Sequence, residues 1–279
     1  MSFSAPGTRH FFTMLIDTHC HLTYPELGDQ LDGVLLRAAD AGVDRIITIA
    51  TEPADARDAR RLAARHPNQI SYAAGIHPHE AAKVGPDELQ ALTDLHHGRW
   101  TKDDGVPLPV AVGETGLDFH YDFAPPVRQE EVFRFQLQLA CDVGKPVIIH
   151  ARKAEEQVCD ILAEYPRLRG RVVFHCFSRG EDLARRVDEL GLWLSFTGVV
   201  TFDKSAEIQA AAKSFPLDRI MVETDGPFLS PVPVRKVRPN EPAFVAHTAR
   251  FIAALRGMSF EEFSAATTAN ARRFFALPA

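Results

Sequence analysis

The 279-residue sequence has no run of about 18 or more apolar residues, so it offers no helix that could span a bilayer. Nor does Met1 to Thr13 contain the apolar core of a secretion signal. It is polar and irregular, with Arg9 and His10, and is read as an extension ahead of a fold starting at Met14. Cysteine is sparse. Cys20, Cys141, Cys159 and Cys176 show no close paired spacing, which excludes a disulfide framework and predicts reduced thiols in a cytoplasmic protein. A basic excess is missing too. The formal net charge of −6 argues against a stable, high-affinity nucleic-acid binder, but it permits an enzyme that touches a few phosphates in a cleft. No repeat, low-complexity tract or linker divides the chain. One domain over 14–279, as a monomer or small homo-oligomer with no membrane partner, is the expectation, since an α/β barrel needs about 250 residues.

What is present is a regular alternation. Short runs rich in Val and Ile predict strands at Met14–Asp17, Arg45–Ala50, Ile70–Gly75, Pro109–Val112, Pro146–Ile149, Arg171–Phe174, Leu192–Phe196 and Arg219–Val222. Amphipathic stretches lie between them. Val132, Phe135, Leu139 and Val143 are spaced for one helix face, as are Leu183, Val187 and Leu190. Gly42, Gly144 and Gly191 are placed to end helices, and Ser259 with Glu262 has the spacing of a capping box. A loop insertion is expected over His96–Leu108. Eight β-then-α cycles predict a closed (β/α)8 TIM barrel, with a doubly wound open sheet as the alternative.

In a barrel the chemistry gathers where the strands end. Those ends carry Asp17-Thr-His19-Cys-His21, His77-Pro-His79, Gly113-Glu114-Thr-Gly-Leu-Asp118, His150, His175 and Glu223-Thr-Asp225. Residues two apart on a strand share a face, so His19 and His21 should point to the mouth, with Thr18 and Cys20 toward the helices. Any one of these groups alone reads as a structural histidine or a paired carboxylate. Four histidines and two carboxylates converging in an apolar barrel would be costly to desolvate without a cation. The expected metal ligands are therefore His19, His21, Glu114, His150, His175 and Asp225. Six ligands exceed what one catalytic ion usually takes, which implies two divalent ions. The simplest division puts His19, His21 and Asp225 on one and His150 and His175 on the other, bridged by Glu114. Imidazole-rich ligation favours zinc, with manganese or magnesium as candidates for activity.

The ordered motifs Asp17-Thr-His19-Cys-His21, Gly75-Ile-His77-Pro-His79, Gly113-Glu114-Thr-Gly-Leu-Asp118, Ile149-His150-Ala-Arg152, His175-Cys-Phe-Ser178 and Glu223-Thr-Asp225, with Asn240-Glu241-Pro242 and Asn270-Ala271-Arg272, resemble the TatD family of metal-dependent hydrolases. The resemblance implies an amidohydrolase-type TIM barrel and a deoxyribonuclease, often a 3′→5′ exonuclease that meets single-stranded DNA transiently. It also implies that His19, His21, Glu114 and Asp225 hold the first metal, that Glu114, His150 and His175 hold the second, and that His77 lies near the substrate. The sequence departs from the family pattern at Gly226 and at Lys236-Val-Arg238-Pro, which bears on substrate preference.

The expected reaction is phosphodiester hydrolysis by a metal-bound hydroxide, with Asp225 and Glu114 as catalytic residues. Asp17 and Glu223 are expected to support the ligands from behind. His77, Arg152 and Arg235 are candidates for substrate binding. Tyr121 and Phe123 could stack a base, although loop packing is the commoner role of such residues. The alternatives are hydrolysis of another ester on the same frame, such as a small phosphoester, lactone or aminoacyl-tRNA, or a non-catalytic scaffold. A cyclic-amide hydrolase is disfavoured because the fourth strand ends in Glu114, while Lys145 sits at the wrong end of the barrel.

Overall fold

The structure is a computed structural model that describes residues 14–100 and 106–278. The expected extension over 1–13, and residues 101–105 of the expected insertion, lie outside the described residues. Eight strands alternate with helices: β1 (Leu15–Cys20), α1 (Pro25–Gly28), α2 (Leu31–Asp40), β2 (Val43–Ala50), α3 (Pro53–Arg65), β3 (Ile70–Ala74), α4 (Pro86–His96), β4 (Val112–Asp118), α5 (Pro126–Val143), β5 (Val147–Arg152), α6 (Glu155–Ala163), β6 (Val172–Phe174), α7 (Glu181–Glu189), β7 (Trp193–Phe196), α8 (Ala206–Ser214), β8 (Ile220–Val222), α9 (Val245–Leu255) and α10 (Phe260–Phe275). The strands pair in parallel and in sequence order. Closure comes just beyond β8, where the Asp225 amide donates to the His19 carbonyl at 2.9 Å and the His21 amide to that of Gly226 at 2.8 Å. Sequential order with the first strand meeting the last is a TIM barrel, and it excludes the open sheet.

Two apolar layers hold it. The larger packs the outer strand faces against the helices and includes Ile46, Tyr72, Leu117, Phe133 and Phe263. The smaller fills the barrel with Ile16, Ile47, Ile49, Ala73, Ala111, Ile148, Val173, Trp193 and Met221, and Phe274 and Phe275 of α10 join it. One pleat further along the same inner faces, the side chains turn polar. Thr18 follows Ile16, His150 follows Ile148, His175 follows Val173, Ser195 follows Trp193 and Glu223 follows Met221. The apolar layer is thus the floor of a polar cup.

Several sequence expectations shift. The fourth strand runs Val112–Asp118 rather than Pro109–Val112, and the first and fifth extend three residues past their expected ends. Asp17, His19, Glu114, Asp118 and His150 are therefore part of the strands, whereas His175, Glu223 and Asp225 lie just beyond β6 and β8. On α5, Val132 and Leu139 of the expected face are buried while Phe135 and Val143 are only partly so, and the buried side also takes in Gln129, Phe133, Gln136, Leu137 and Ala140. Gly42, Gly144 and Gly191 take the left-handed conformation at helix ends, and the Ser259–Glu262 capping box forms. The four cysteines are free, and no helix among the described residues is long and apolar enough to cross a membrane.

Candidate metal centre

Strand irregularity decides what reaches the centre. Inner-face alternation delivers His150, His175 and Glu223, but it would leave out His19 and Glu114. β1 shifts register between Asp17 and Cys20, and β4 between Val112 and Thr115. Thr18, one pleat beyond Ile16, points inward, the reverse of the expectation. Its hydroxyl lies 3.1 Å from that of Ser195 and donates to the Val222 carbonyl. The shift brings His19 to the centre beside it. In β4, Gly113 has φ 134°, and a Cβ on Gly116 would lie 2.0 Å from the His150 carbonyl oxygen. A backbone this close to β5 tolerates only glycine.

Glu114 sits at the middle, 2 % exposed. One oxygen, Oε2, faces His19 Nε2 at 3.4 Å. The other, Oε1, lies 2.9 Å from His175 Nε2, 3.0 Å from His150 Nδ1 and 3.5 Å from His77 Nε2. Asp225 Oδ1 lies 3.5 Å from His21 Nε2 and 3.7 Å from His19 Nε2. The structure thus brings all six expected ligands together. Among the groupings compact enough to hold an ion are His19, His21 and Glu114, and Glu114, His150 and His175. Both nitrogens of His19 and Nδ1 of His21 are buried without hydrogen-bond partners. A buried imidazole with no partner is costly, and a cation would satisfy it. Soft-to-borderline nitrogen donors with carboxylates suit zinc-like divalent ions. The residues fit the group.

Electrostatics agree. Burial alone would raise the Glu114 carboxyl, but the imidazoles of His175, His77 and His19 hold it well below its usual range. Burial would likewise lower His175, yet Glu114 and Glu223 raise it well above a free imidazole. Imidazoles and carboxylates here offset one another's charge, and divalent ions held by His19, His21, Glu114, His150, His175 and Asp225 would supply that positive charge instead.

The surrounding residues fix which nitrogen is presented. Glu223 Oε1 lies 3.2 Å from His175 Nδ1 and accepts from the Cys176 amide, leaving Nε2 for the centre. Asp118, to which the sequence reading gave no role, has Oδ2 2.9 Å from His150 Nε2 and 2.8 Å from His79 Nε2. This leaves His150 Nδ1 facing Glu114. The signal for Asp118 was its spacing, two pleats beyond Glu114 on one face. Asp17 takes a different role from the imidazole support expected of it. Its carboxylate accepts from the Thr224 amide at 2.9 Å and hydroxyl at 2.6 Å, joining β1 to the turn after β8. Burial pushes it up to about 8, against the hydrogen bonds from Thr224. Asn240 holds the same turn, its amide donating to the carbonyls of Thr224 and Phe228. Lys153, Cys176 and Asp225, at three strand exits, have φ of 55°, 47° and 56°. Non-glycine residues in this region cost of order 1–3 kcal/mol each and cluster at functional sites.

A cavity of about 660 Å³ opens over the centre, lined by His77, Tyr121, Arg152 and Phe228 among others. His77 Nδ1 accepts from the His79 amide at 3.1 Å, so the proton of the neutral ring is on Nε2. Burial lowers this imidazole to about 4, against the pull of Glu114. Arg235 is not in the cavity wall. Its guanidinium lies over Phe202, 4.1 Å from the ring centre, and Arg238 turns inward onto Ser230 and the carbonyl of Arg235.

Residues 16–276 match the model of the TatD related DNase family. The metal-dependent hydrolase YcfH of Escherichia coli K12 is 36% identical over 268 residues, covering 95% of this chain and 97% of its own. The 3′-5′ ssDNA/RNA exonuclease TatD of Erwinia tasmaniensis is 33% identical over 268 residues, covering 94% and 100%. The crystal structure of YjjV, a TatD homologue from Escherichia coli K12, superposes with a TM-score of 0.87 at 30% identity, over 95% of this chain and 98% of that one. With a family match over nearly the whole length and relatives of this identity, the chain belongs to the TatD family of metal-dependent hydrolases.

Proposed function

We propose that this protein is a phosphodiesterase that removes nucleotides from single-stranded DNA in the 3′→5′ direction, using two divalent ions. The observation that carries the reading is Glu114, whose one carboxylate oxygen faces His19 while the other faces His150 and His175. His19, His21 and Asp225 would hold one ion, His150 and His175 the other, with Glu114 shared. Bound divalent ions supply Lewis acidity: they neutralise charge on the phosphoryl oxygens and make water acidic enough to attack at neutral pH.

The remaining work falls to the chain's own groups. Burial would raise Asp225, but His21, His175 and His19 keep it low and therefore ionised, so it accepts the proton of the attacking water. Neutral His77 donates from Nε2 to a phosphoryl oxygen as charge builds there. Arg152, one pleat above His150, meets a neighbouring phosphate with its planar fork. The direction of cleavage follows the activity named for the Erwinia relative.

Purified, metal-analysed protein is tested on labelled single-stranded DNA, RNA, an aryl phosphodiester, a lactone and aminoacyl-tRNA, before and after chelation and zinc or manganese re-addition. The expected result is stepwise shortening of DNA from its 3′ end, abolished by chelation and by His150→Ala. DNA cleavage that survives in His150→Ala would remove the assignment, and preference for the lactone or aminoacyl ester would redirect it.

A further inference from the structure

Large aromatic side chains stand exposed on two sides of the cup. Tyr121 and Phe123, in the turn leaving β4, are 43% and 60% exposed, and Phe228, in the turn leaving β8, is 48% exposed. Strand order fixes where they stand. In a closed barrel paired from β1 to β8, the β4–β5 side lies diametrically across from the seam of β8 with β1. Each group is held by ring and cation contacts with its neighbours. Tyr121 is 5.5 Å from Phe123, 5.4 Å from His79, and carries the Arg152 guanidinium 4.8 Å from its ring centre. Phe228 meets Tyr24 at 6.2 Å, and Tyr24 in turn stacks on His21 at 4.7 Å. Tyr121, Tyr24 and Phe228 line the same cavity as Glu114, so the centre lies between two aromatic walls.

We propose that each wall seats one nucleobase, with the scissile phosphodiester between them above Glu114. The proposal rests on the phosphodiesterase reading. Planar rings with an open face are what an unstacked base needs, and they are tolerant of sequence because every base presents a π face. In a duplex both faces of a base are already covered by its neighbours, so only an unpaired strand can place one base on either wall. Recognition is then carried by two bases across one phosphate, and a substrate without bases loses it.

The test measures binding of zinc-loaded protein to two fluorescein-labelled, phosphorothioate-linked strands by anisotropy. One is an oligothymidylate eight-mer and the other an abasic strand of equal length. The wild type is expected to bind the thymidylate strand more than tenfold more tightly. Tyr121→Leu and Phe228→Leu, which keep apolar bulk but lose the π face, should each narrow that ratio about five- to tenfold, in keeping with the loss of one stacked base. Equal binding of the abasic strand by wild type and variants shows that each variant is folded. A ratio that neither variant changes overturns the walls, even if DNA is cleaved. Base-dependent binding with no phosphodiester cleavage would instead sink the phosphodiesterase reading and leave the walls standing.

Discussion

Asp118 shows how one side chain can set the behaviour of two others. Its Oδ1 accepts the amides of His120 and Tyr121 at 2.8 and 3.1 Å, which fixes the turn, while Oδ2 holds the Nε2 atoms of His79 and His150. Burial would raise this carboxyl, but those hydrogen bonds keep it far below its usual range, so it stays ionised. The nitrogen an imidazole offers to a metal is decided by the hydrogen bond on the other one. Asp118→Ala should therefore weaken zinc binding about 10- to 100-fold, the usual cost of losing such a partner, as read by competition with a chromophoric chelator. Asp118→Asn keeps the acceptor for the turn amides and should lose less. Zinc affinity unchanged in Asp118→Ala would show that His150 needs no such anchor.

Helix α5 acts at the next scale by gripping the strand that carries Glu114. Gln129 and Gln136 are seven residues apart, on one face, in positions where a purely apolar stripe would be expected. Gln136 accepts the Ile76 amide at 2.8 Å and donates to the Ile76 carbonyl at 3.0 Å and the Thr115 hydroxyl at 2.6 Å. Gln129 accepts the Asp118 amide and donates to the carbonyls of Asp118 and Ala124. Gln129 thus satisfies the end of β4, and Gln136 ties Thr115 of β4 to Ile76 beyond β3, where the two strands register only at Ala74 and Val112. Gln136→Leu keeps the volume and strands these buried groups. At about 1–3 kcal/mol for each unsatisfied buried group, the variant should lose roughly 3 kcal/mol in urea unfolding at an unchanged m-value. A loss below about 1 kcal/mol would mean that the strand holds itself.

For the whole molecule, the barrel has an apolar end that contributes stability and a polar cluster at the other. The floor of Ile, Val and Trp closed by Phe274 and Phe275 contributes apolar burial, whereas the cup above it holds imidazoles and carboxylates at a desolvation cost. Ion binding should offset that cost through linkage. At a free ion concentration about a thousand times Kd the gain is roughly 4 kcal/mol for each ion, which for a chain of this size corresponds to a melting shift of roughly 10 °C per ion. Calorimetry of chelated protein against zinc-reloaded protein checks this, and coincident transitions would argue that the cluster binds no ion.

Much of this was legible in one dimension, because it follows from short-range periodicity. Inward alternation alone puts His150, His175 and Glu223 one pleat beyond Ile148, Val173 and Met221, and eight alternating segments specify a barrel. His19 and Glu114 were found as motif residues, but their inward placement depends on register shifts that a strict period of two does not contain. Only the assembled barrel could decide that Asp17 holds Thr224 rather than an imidazole, and that Arg235 lies on Phe202 outside the cavity. The physical reason is range. Pattern and propensity act over a few residues, whereas these choices are settled by contacts between groups up to about two hundred positions apart, such as Asp17 with Thr224.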